Sequence, residues 1–148
     1  GVLCKVAGLF SRRSFNIDSL AVGETDDKEV SCMTIVSSGN QRTLEQIEKQ
    51  LNKKLDIIKV RTFHEEQSIS RELMLIKVKY NRTNRKDIME VCSILKAEIV
   101  DMSKSFMMIQ ICAEPERIQL LIQMLKSISI VEVARTGTLA LPKCAENE

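Results

Sequence analysis

The order of the hydrophobic patterns in residues 72 to 137 restricts the fold of this chain more than any other feature. Alternating and helical patterns follow one another there as strand, helix, strand, strand, helix and strand. The segments are ELMLIKVKY, TNRKDIMEVCSILK, AEIVDMS, SFMMIQICA, EPERIQLLIQMLKSI and ISIVEVARTG. This order predicts a split βαβ, or ferredoxin-like, unit, in which two helices cover a four-stranded antiparallel sheet.

The first half of the chain shows a similar order but begins with a helix. Its predicted elements are a helix at 2–13, strands at 15–22 and 29–38, a helix at 40–53 and a strand at 55–63. Asn40 is the predicted N-cap of the second helix. This α-β-β-α-β order is a ferredoxin-like unit without its first strand, so we expect that a strand and loop of about 8 to 12 residues are missing before residue 1. The predicted fold class is therefore α+β, with two ferredoxin-like units.

The predicted domain boundaries follow from these two patterns. Residues 1–64 form the first domain, and the polar residues 65–71 are predicted to be a linker of little intrinsic structure. The second domain spans residues 72–141. No element is predicted after residue 137, and residues 142–148 are assigned as a tail.

The charge pattern argues against nucleic acid and membrane partners. The 148 residues carry 22 Lys and Arg against 20 Asp and Glu, a net charge of +2, and the two signs are interleaved. Such a pattern provides no basic stripe for a phosphate backbone and no polybasic membrane anchor. The sequence shows neither an apolar run of about 18 residues nor a secretion leader. A cytoplasmic location is therefore expected.

The candidate nucleophiles and metal ligands form no catalytic pattern. The five cysteines are odd in number and none share a short spacing, so we expect reduced thiols and no metal site. Four of them lie in apolar patterns and are predicted to be buried: Cys4, Cys32, Cys92 and Cys112. His64, the single histidine, precedes a polar turn. Without a nucleophile elbow, a Gly-rich phosphate loop or an HExxH helix, catalysis by this chain is not expected.

Five blocks of the sequence, in order, carry a resemblance to a known family. They are GVLCKVAGLFSRRSFNIDSLAVGETDD, SCMTIV, LEQIEKQLNKKLDIIKV, RELMLIKV and IVEVARTG. The chain resembles, from residue 1 to about residue 141, the small regulatory subunit of acetolactate synthase, also called acetohydroxyacid synthase. The resemblance implies an N-terminal ACT domain, a smaller C-terminal domain of related topology, and a homodimer, formed through ACT domains, that binds a separate catalytic subunit.

The resemblance also implies a regulatory function. In this family the catalytic subunit uses thiamine diphosphate, magnesium and FAD to condense two pyruvates, or pyruvate and 2-oxobutyrate, in the synthesis of branched-chain amino acids. The small subunit binds none of these cofactors. It raises the activity of its partner and makes that activity sensitive to valine, which binds between two ACT domains.

By the same resemblance, the valine-binding residues lie at the start of the first helix and of the following strand. Carried over to this chain, they are Gly1, Val2, Leu3, Cys4, Asn16 and Ile17. Free N–H groups at a helix start suit a carboxylate, and an Asn side chain suits an amino acid's zwitterion. Leu3 and Ile17 either line the pocket or belong to the core, and Asn16 either binds valine or caps a turn.

Two positions depart from the family pattern near this site. Ser14 stands where the family usually has Gly, and Cys4 stands where Ser or Ala is common. A positive φ is less favourable for Ser than for Gly, so retaining that turn would cost about 1 kcal/mol. The family loop before Gly1 also contributes an Asn, whose absence would weaken valine binding.

Other classes of protein share these patterns. A generic ACT-type amino-acid sensor would bind a different effector and leave acetolactate synthase unstimulated. An RNA-binding domain of this fold would need aromatic residues on its central strands, but the chain is only 3% aromatic. A small enzyme would need a convergent acid–base or metal cluster.

The contact surface for the catalytic subunit is expected among exposed apolar residues of a sheet or around Phe106, Met107 and Met108.

Overall fold

The computed structural model describes residues 2–13, 15–54 and 56–147. The elements are α1 (Val2–Arg12), β1 (Asn16–Glu24), β2 (Ser31–Ser38), α2 (Gln41–Asn52), β3 (Ser68–Lys79), α3 (Arg85–Leu95), β4 (Glu98–Met102), β5 (Phe106–Ala113), α4 (Pro115–Lys126), β6 (Ile130–Arg135) and β7 (Leu139–Pro142). The chain divides into two compact units. The first unit is Gly1–Ile69 with Pro142–Glu148, and the second unit is Ser70–Leu141. The predicted α+β class is confirmed.

In the first unit, two helices pack with an antiparallel hairpin. Strands β1 and β2 pair from Asn16 opposite Ser38 to Glu24 opposite Ser31. Helix α1 turns Val6, Leu9 and Phe10 inward, and α2 contributes Ile47 and Leu51. With Phe15, these side chains form the apolar cluster of the first unit. The partly buried side chains against this cluster are Val2, Ile17, Met33, Ile35, Leu44, Ile57 and Val60.

The start of α2 shows the predicted N-cap. Asn40 is extended, and its side-chain Oδ1 accepts a hydrogen bond of 2.8 Å from the N–H of Thr43. Without this acceptor, one of the unpaired N–H groups of the first helical turn loses its protein partner. We therefore expect Asn40→Ala to lower the free energy of unfolding by about 1 kcal/mol, whereas Asn40→Ser should be almost neutral. Chemical denaturation followed by circular dichroism measures both. Equal losses for Ala and Ser would contradict the capping role.

The predicted strand at residues 55–63 is wrong for the part that the structure describes. Residues 56–63 form no strand, although Ile57 and Val60 still pack against the apolar cluster. The second unit shows why residues 56–63 form no strand. There, the last main strand, β6, is held by its pairing with the first strand, β3. Within the described residues, no strand precedes α1, so this segment has no equivalent strand to pair with.

The second unit has the predicted β-α-β-β-α-β order, with its main strands arranged β4-β5-β3-β6. Strand β3 pairs antiparallel with β5, from Glu72 opposite Ala113 to Lys79 opposite Phe106. Helices α3 and α4 cover one face of the sheet. The core between them comprises Met74, Ile76, Val78, Ile88, Cys92, Met107, Ile109, Ile111, Ala113, Ile118, Leu121 and Leu125. Both outer strands of this order are bulged, with Val100 inserted in β4 and Val131 in β6.

The segments predicted to be an unstructured linker and a tail contain regular structure instead. Residues Glu65–Gln67 form a short 3-10 helix, and β3 begins at Ser68, so the expectation of little intrinsic structure at 65–71 is wrong. The boundary between the two units, after Ile69, nevertheless falls within this segment. The polar composition predicted a loop, but one of these polar side chains stabilises the 3-10 helix. The Oε1 atom of Gln67 accepts a hydrogen bond of 3.0 Å from the backbone N–H of His64. Beyond residue 137, β7 pairs with β3, and Cys144–Asn147 forms another 3-10 helix.

Only one of the four cysteines predicted to be buried lies inside a core. Cys92 is 3% exposed on α3, where burial raises the pKa of its thiol. Cys4, Cys32 and Cys112 are exposed. Each belongs to an apolar segment but occupies the outward position of its helix or strand, and the alternation of a strand places only every second residue inside.

Candidate functional site

The predicted effector residues at the start of α1 have different environments. Gly1 lies outside the described residues, as does Ser14. Val2 is half-buried and packs against the apolar cluster of the first unit. Leu3 is 44% exposed, and Cys4 is also exposed. Leu3 is therefore not a core residue of the chain taken alone, and its side chain is available to a ligand or a second protein.

The two predicted effector residues at the start of β1, Asn16 and Ile17, also differ in their environments. Asn16 is exposed and opposes Ser38 in the hairpin, and its Nδ2 lies 3.5 Å from Oδ1 of Asp18. Ile17 is half-buried and packs against the same cluster as Val2. The fold thus brings Val2 and Ile17 to one apolar cluster, while Leu3, Cys4 and Asn16 face solvent.

A small cleft lies beside the start of α1. Its lining residues are Val2, Lys5, Val6, Leu51, Lys54, Asp56 and Ile57. The cleft holds about 10 Å³, room for one water molecule and not for an amino acid. At its rim, Lys5 Nζ and Asp56 Oδ2 form an exposed ion pair of 3.7 Å, which adds little stability. This cleft by itself cannot hold valine.

A close contact between an aromatic ring and a glycine fixes the beginning of β1 against the end of β2. The ring of Phe15 is buried and meets Phe10 edge-on, with ring centroids 5.7 Å apart. A Cβ on Gly39 would lie less than 3.0 Å from three atoms of the Phe15 ring. Gly39 therefore leaves the space that Phe15 fills, directly before the predicted site residue Asn16.

A polar groove along α2 was not predicted from the sequence. Its lining residues are Arg13, Gln46, Lys49, Gln50, Asn52 and Lys53. Arg13 donates a hydrogen bond of 3.2 Å to Oε1 of Gln46. The cationic residues lie near the carboxyl ends of α1 and α2, where positive charge complements the helix dipole. That local role accounts for them without a ligand.

The second unit leaves one face of its sheet without helices. We call this the outer sheet face; it comprises Leu73, Leu75, Lys77 and Lys79 of β3, Phe106, Met108, Gln110 and Cys112 of β5, Glu98 and Asp101 of β4, and Glu132 and Ala134 of β6. The predicted contact residues are therefore divided. Met107 is fully buried in the core, whereas Phe106 and Met108 lie on the outer sheet face.

An ion pair between the buried Glu72 and the partly exposed Arg135 joins β3 to the end of β6. Glu72 is 3% exposed and accepts hydrogen bonds from Nε of Arg135, at 2.5 Å, and from its Nη2, at 3.1 Å. Thr138 Oγ1 also donates to Oε2 of Glu72, at 3.4 Å. The hydrogen bond to Glu72 and its charge raise the pKa of Arg135, against the opposing effect of burial. The pair is a structural clamp on the segment that leads into β7.

The reactive side chains are scattered over the part of the chain that the structure describes. Among residues 2–13, 15–54 and 56–147, no three His, Cys, Asp or Glu side chains form a group able to hold a metal ion. His64 is exposed at the start of a 3-10 helix. No described helix is long and apolar enough to cross a membrane. The order of the elements and the pairing of the strands define a two-unit α+β chain of the ferredoxin-like type.

Comparison with known proteins identifies the family. A profile described as "AHAS small subunit-like ACT domain" matches residues 1–59, and one described as "Small subunit of acetolactate synthase" matches residues 71–144. The chain is 44% identical over 143 residues to the acetolactate synthase small subunit of Mycolicibacterium smegmatis, covering 97% of this chain and 84% of that protein. The chain belongs to the family of acetolactate synthase small subunits.

Two further relatives extend this similarity. A probable acetolactate synthase small subunit of Methanothermobacter thermautotrophicus is 40% identical over 144 residues, covering 97% of this chain and 86% of that protein. The crystal structure of a small subunit from Thermotoga maritima matches with a TM-score of 0.88 at 35% identity, covering 97% and 89% of the two chains. The predicted resemblance is therefore confirmed over nearly the whole chain.

Proposed function

We propose that this chain is the regulatory subunit of acetolactate synthase, which activates a separate catalytic subunit and confers feedback inhibition by valine. The observation that carries the proposal is the similarity to small subunits over 97% of the chain, through both units. In this proposal, thiamine diphosphate, magnesium and FAD belong to the catalytic subunit. The reaction regulated is the first shared step of branched-chain amino acid synthesis, and the expected compartment is the cytoplasm.

The proposed effector site is formed between the ACT domains of two copies of the chain. The small cleft beside α1 is too small for valine and is not the proposed site. Helix α1 begins at Val2, and its first N–H groups lack partners within the helix, so they suit the carboxylate of valine. The exposed side chains of Leu3 and Asn16 supply an apolar surface and a hydrogen-bonding amide.

Inhibition follows from thermodynamic linkage between valine and the catalytic subunit. Valine binds more tightly to one arrangement of the ACT pair, and that arrangement favours the less active state of the catalytic subunit. The same coupling requires that the catalytic subunit change the affinity of the chain for valine. A coupling free energy of about 1 to 3 kcal/mol, or about 5- to 150-fold in affinity, is typical of such systems.

Reconstitution with the purified catalytic subunit tests the regulatory role. Acetolactate formation from pyruvate is measured with and without the chain, and with and without millimolar valine. Stimulation that valine reverses is the expected result. Stimulation that ignores valine would remove the effector assignment and keep the activating role. No stimulation by a folded chain, with an active partner, would overturn the proposal and favour an ACT-type sensor for another enzyme.

Asn16→Ala tests the proposed effector site directly. Removing the amide loses hydrogen bonds to the zwitterion, so we expect the valine concentration for half inhibition to rise about tenfold. Stimulation without valine should be unchanged, because Asn16 is exposed and its side chain makes one long contact, to Asp18. Asn52→Ala, a similar change at an exposed position on α2, is the matched control. Equal responses of the two variants would contradict the role of Asn16.

A further inference from the structure

An acidic side chain stands beside the proposed effector residue Asn16. Asp18 is exposed, and its Oδ1 lies 3.5 Å from Nδ2 of Asn16, so the carboxylate and the amide share one patch of surface. Ile17, between them, packs against the apolar cluster of the first unit instead. Among the described residues, no Lys or Arg forms an ion pair with Asp18. Its negative charge is therefore available to a ligand.

A β-bulge holds Asp18 in this position. The register of β1 against β2 shifts between Ile17 and Ser19. Asp18 is therefore an inserted residue, with no residue opposite it in the described ladder. Inserted residues re-aim side chains, and bulges are common next to functional sites. The backbone of the hairpin thus places the carboxylate beside the residue that is proposed to bind the effector.

The sequence around Asp18 is otherwise basic. Residues 1–23 contain three cationic side chains, Lys5, Arg12 and Arg13, and Asp18 is the one acidic side chain among them. The start of α1 adds the positive end of a helix dipole. A site with positive charge alone would bind any small carboxylate, including 2-oxo acids such as pyruvate, the substrate in the proposed function. Selective feedback by an amino acid therefore requires a group that recognises the α-ammonium.

We infer that Asp18 binds the α-ammonium group of the effector and makes the site selective for amino acids over 2-oxo acids. This role of Asp18 rests on the proposed function, in which the valine site includes Asn16 and the start of α1. The carboxylate and the ammonium form a charge-assisted hydrogen bond, which is about twice as strong as a neutral one. A 2-oxo acid has no ammonium, so the same carboxylate repels its negative charge. Asp18 thus both attracts the correct ligand and rejects the wrong one.

Titration of two ligands into the full-length chain, followed by NMR chemical shifts, tests this role and also measures weak binding. The ligands are L-valine and (S)-2-hydroxy-3-methylbutanoate, which keeps the carbon skeleton and the carboxylate but has a hydroxyl group in place of the ammonium. In Asp18→Asn, we expect the affinity for valine to fall about tenfold, whereas the affinity for the hydroxy acid stays the same or rises. The preference for valine therefore falls by at least the same factor.

Two further variants separate the charge of Asp18 from its structural contacts. Asp18→Glu keeps the charge and should retain most of the affinity for valine. Glu24→Gln removes a charge from an exposed position of the same strand and should leave both affinities unchanged. Thermal unfolding followed by circular dichroism checks that each variant folds like the parent.

The outcomes distinguish the role of Asp18 from the effector site itself. Equal losses for both ligands in Asp18→Asn would overturn the inference, because Asp18 would then act only by holding the amide of Asn16. Unchanged valine binding in Asp18→Asn would also overturn it. Both results would leave the proposed effector site in place. If the parent chain bound no valine, the proposed effector site would fail, and the role of Asp18 with it.

Discussion

Replacing Arg135 with alanine should lower the free energy of unfolding of the second unit by about 1 to 3 kcal/mol. The loss arises because the side chain of Glu72, which is 3% exposed, loses both hydrogen bonds from Arg135. The Arg135 side chain is itself 42% exposed, so solvent screens part of the interaction. The remaining bond from Thr138 is 3.4 Å long and does not replace them. A loss of this size is a substantial fraction of the roughly 5 to 15 kcal/mol that stabilises a typical domain, so a clear shift of the denaturation midpoint is expected.

Tyr80 provides the measurement for this prediction. The chain has one tyrosine and no tryptophan, and Tyr80 packs against the core of the second unit. Its fluorescence during chemical denaturation therefore reports the second unit alone. The control is Glu72→Gln, which removes the buried charge together with the ion pair and should cost less than Arg135→Ala. If Arg135→Ala proved as stable as the parent, the ion pair between Glu72 and Arg135 would not stabilise the second unit.

Gly39→Ala should destabilise the first unit by about 1 to 3 kcal/mol without affecting the second. A Cβ at this position would lie less than 3.0 Å from the Phe15 ring, which is buried and has little room to move. The ring would have to leave its edge-on contact with Phe10, and the start of β1 would shift with it. In the proposed function, that shift displaces Asn16, so valine sensitivity should fall together with stability.

Hydrogen exchange distinguishes this effect from general unfolding. Amides of the β1–β2 hairpin should exchange faster in Gly39→Ala, while amides of β3 and β5, and the Tyr80 denaturation curve, should be unchanged. The second substitution Phe15→Leu makes room for the new methyl group, so the double variant should be more stable than the sum of the single losses predicts. Strict additivity of the two changes would contradict a direct contact between these positions.

The sequence predicted the second unit almost completely, because its helices and strands have strong periodic patterns and each strand finds its partner within the unit. The prediction from the sequence failed where the formation of a strand depends on pairing with another strand that is distant in the sequence. Residues 56–63 have an apolar pattern but no neighbouring strand among the described residues, and β7 has only four residues and depends on its pairing with β3. Local composition carries no information on such pairings.

The candidate site was predictable only in part. The spacing of apolar residues correctly placed Asn16 and Ile17 on a strand and Leu3 on a helix. The spacing did not show that Leu3 faces solvent. Leu3 lies next to Val2 and one turn before Val6, so the pattern does not tell which of these apolar side chains is left outside the core. The ion pair between Glu72 and Arg135 was also missed, since 63 residues separate the two partners and neither stands out in the sequence.

The bulges in β4 and β6 have a consequence for the behaviour of the free chain in solution. An unpaired strand edge can recruit strands from other molecules, and the resulting edge-to-edge pairing leads to aggregation. An inserted residue twists the edge and interrupts its ladder of N–H and C=O groups. With Val100 and Val131 inserted in its two outer strands, the second unit is protected against such growth before it meets any partner.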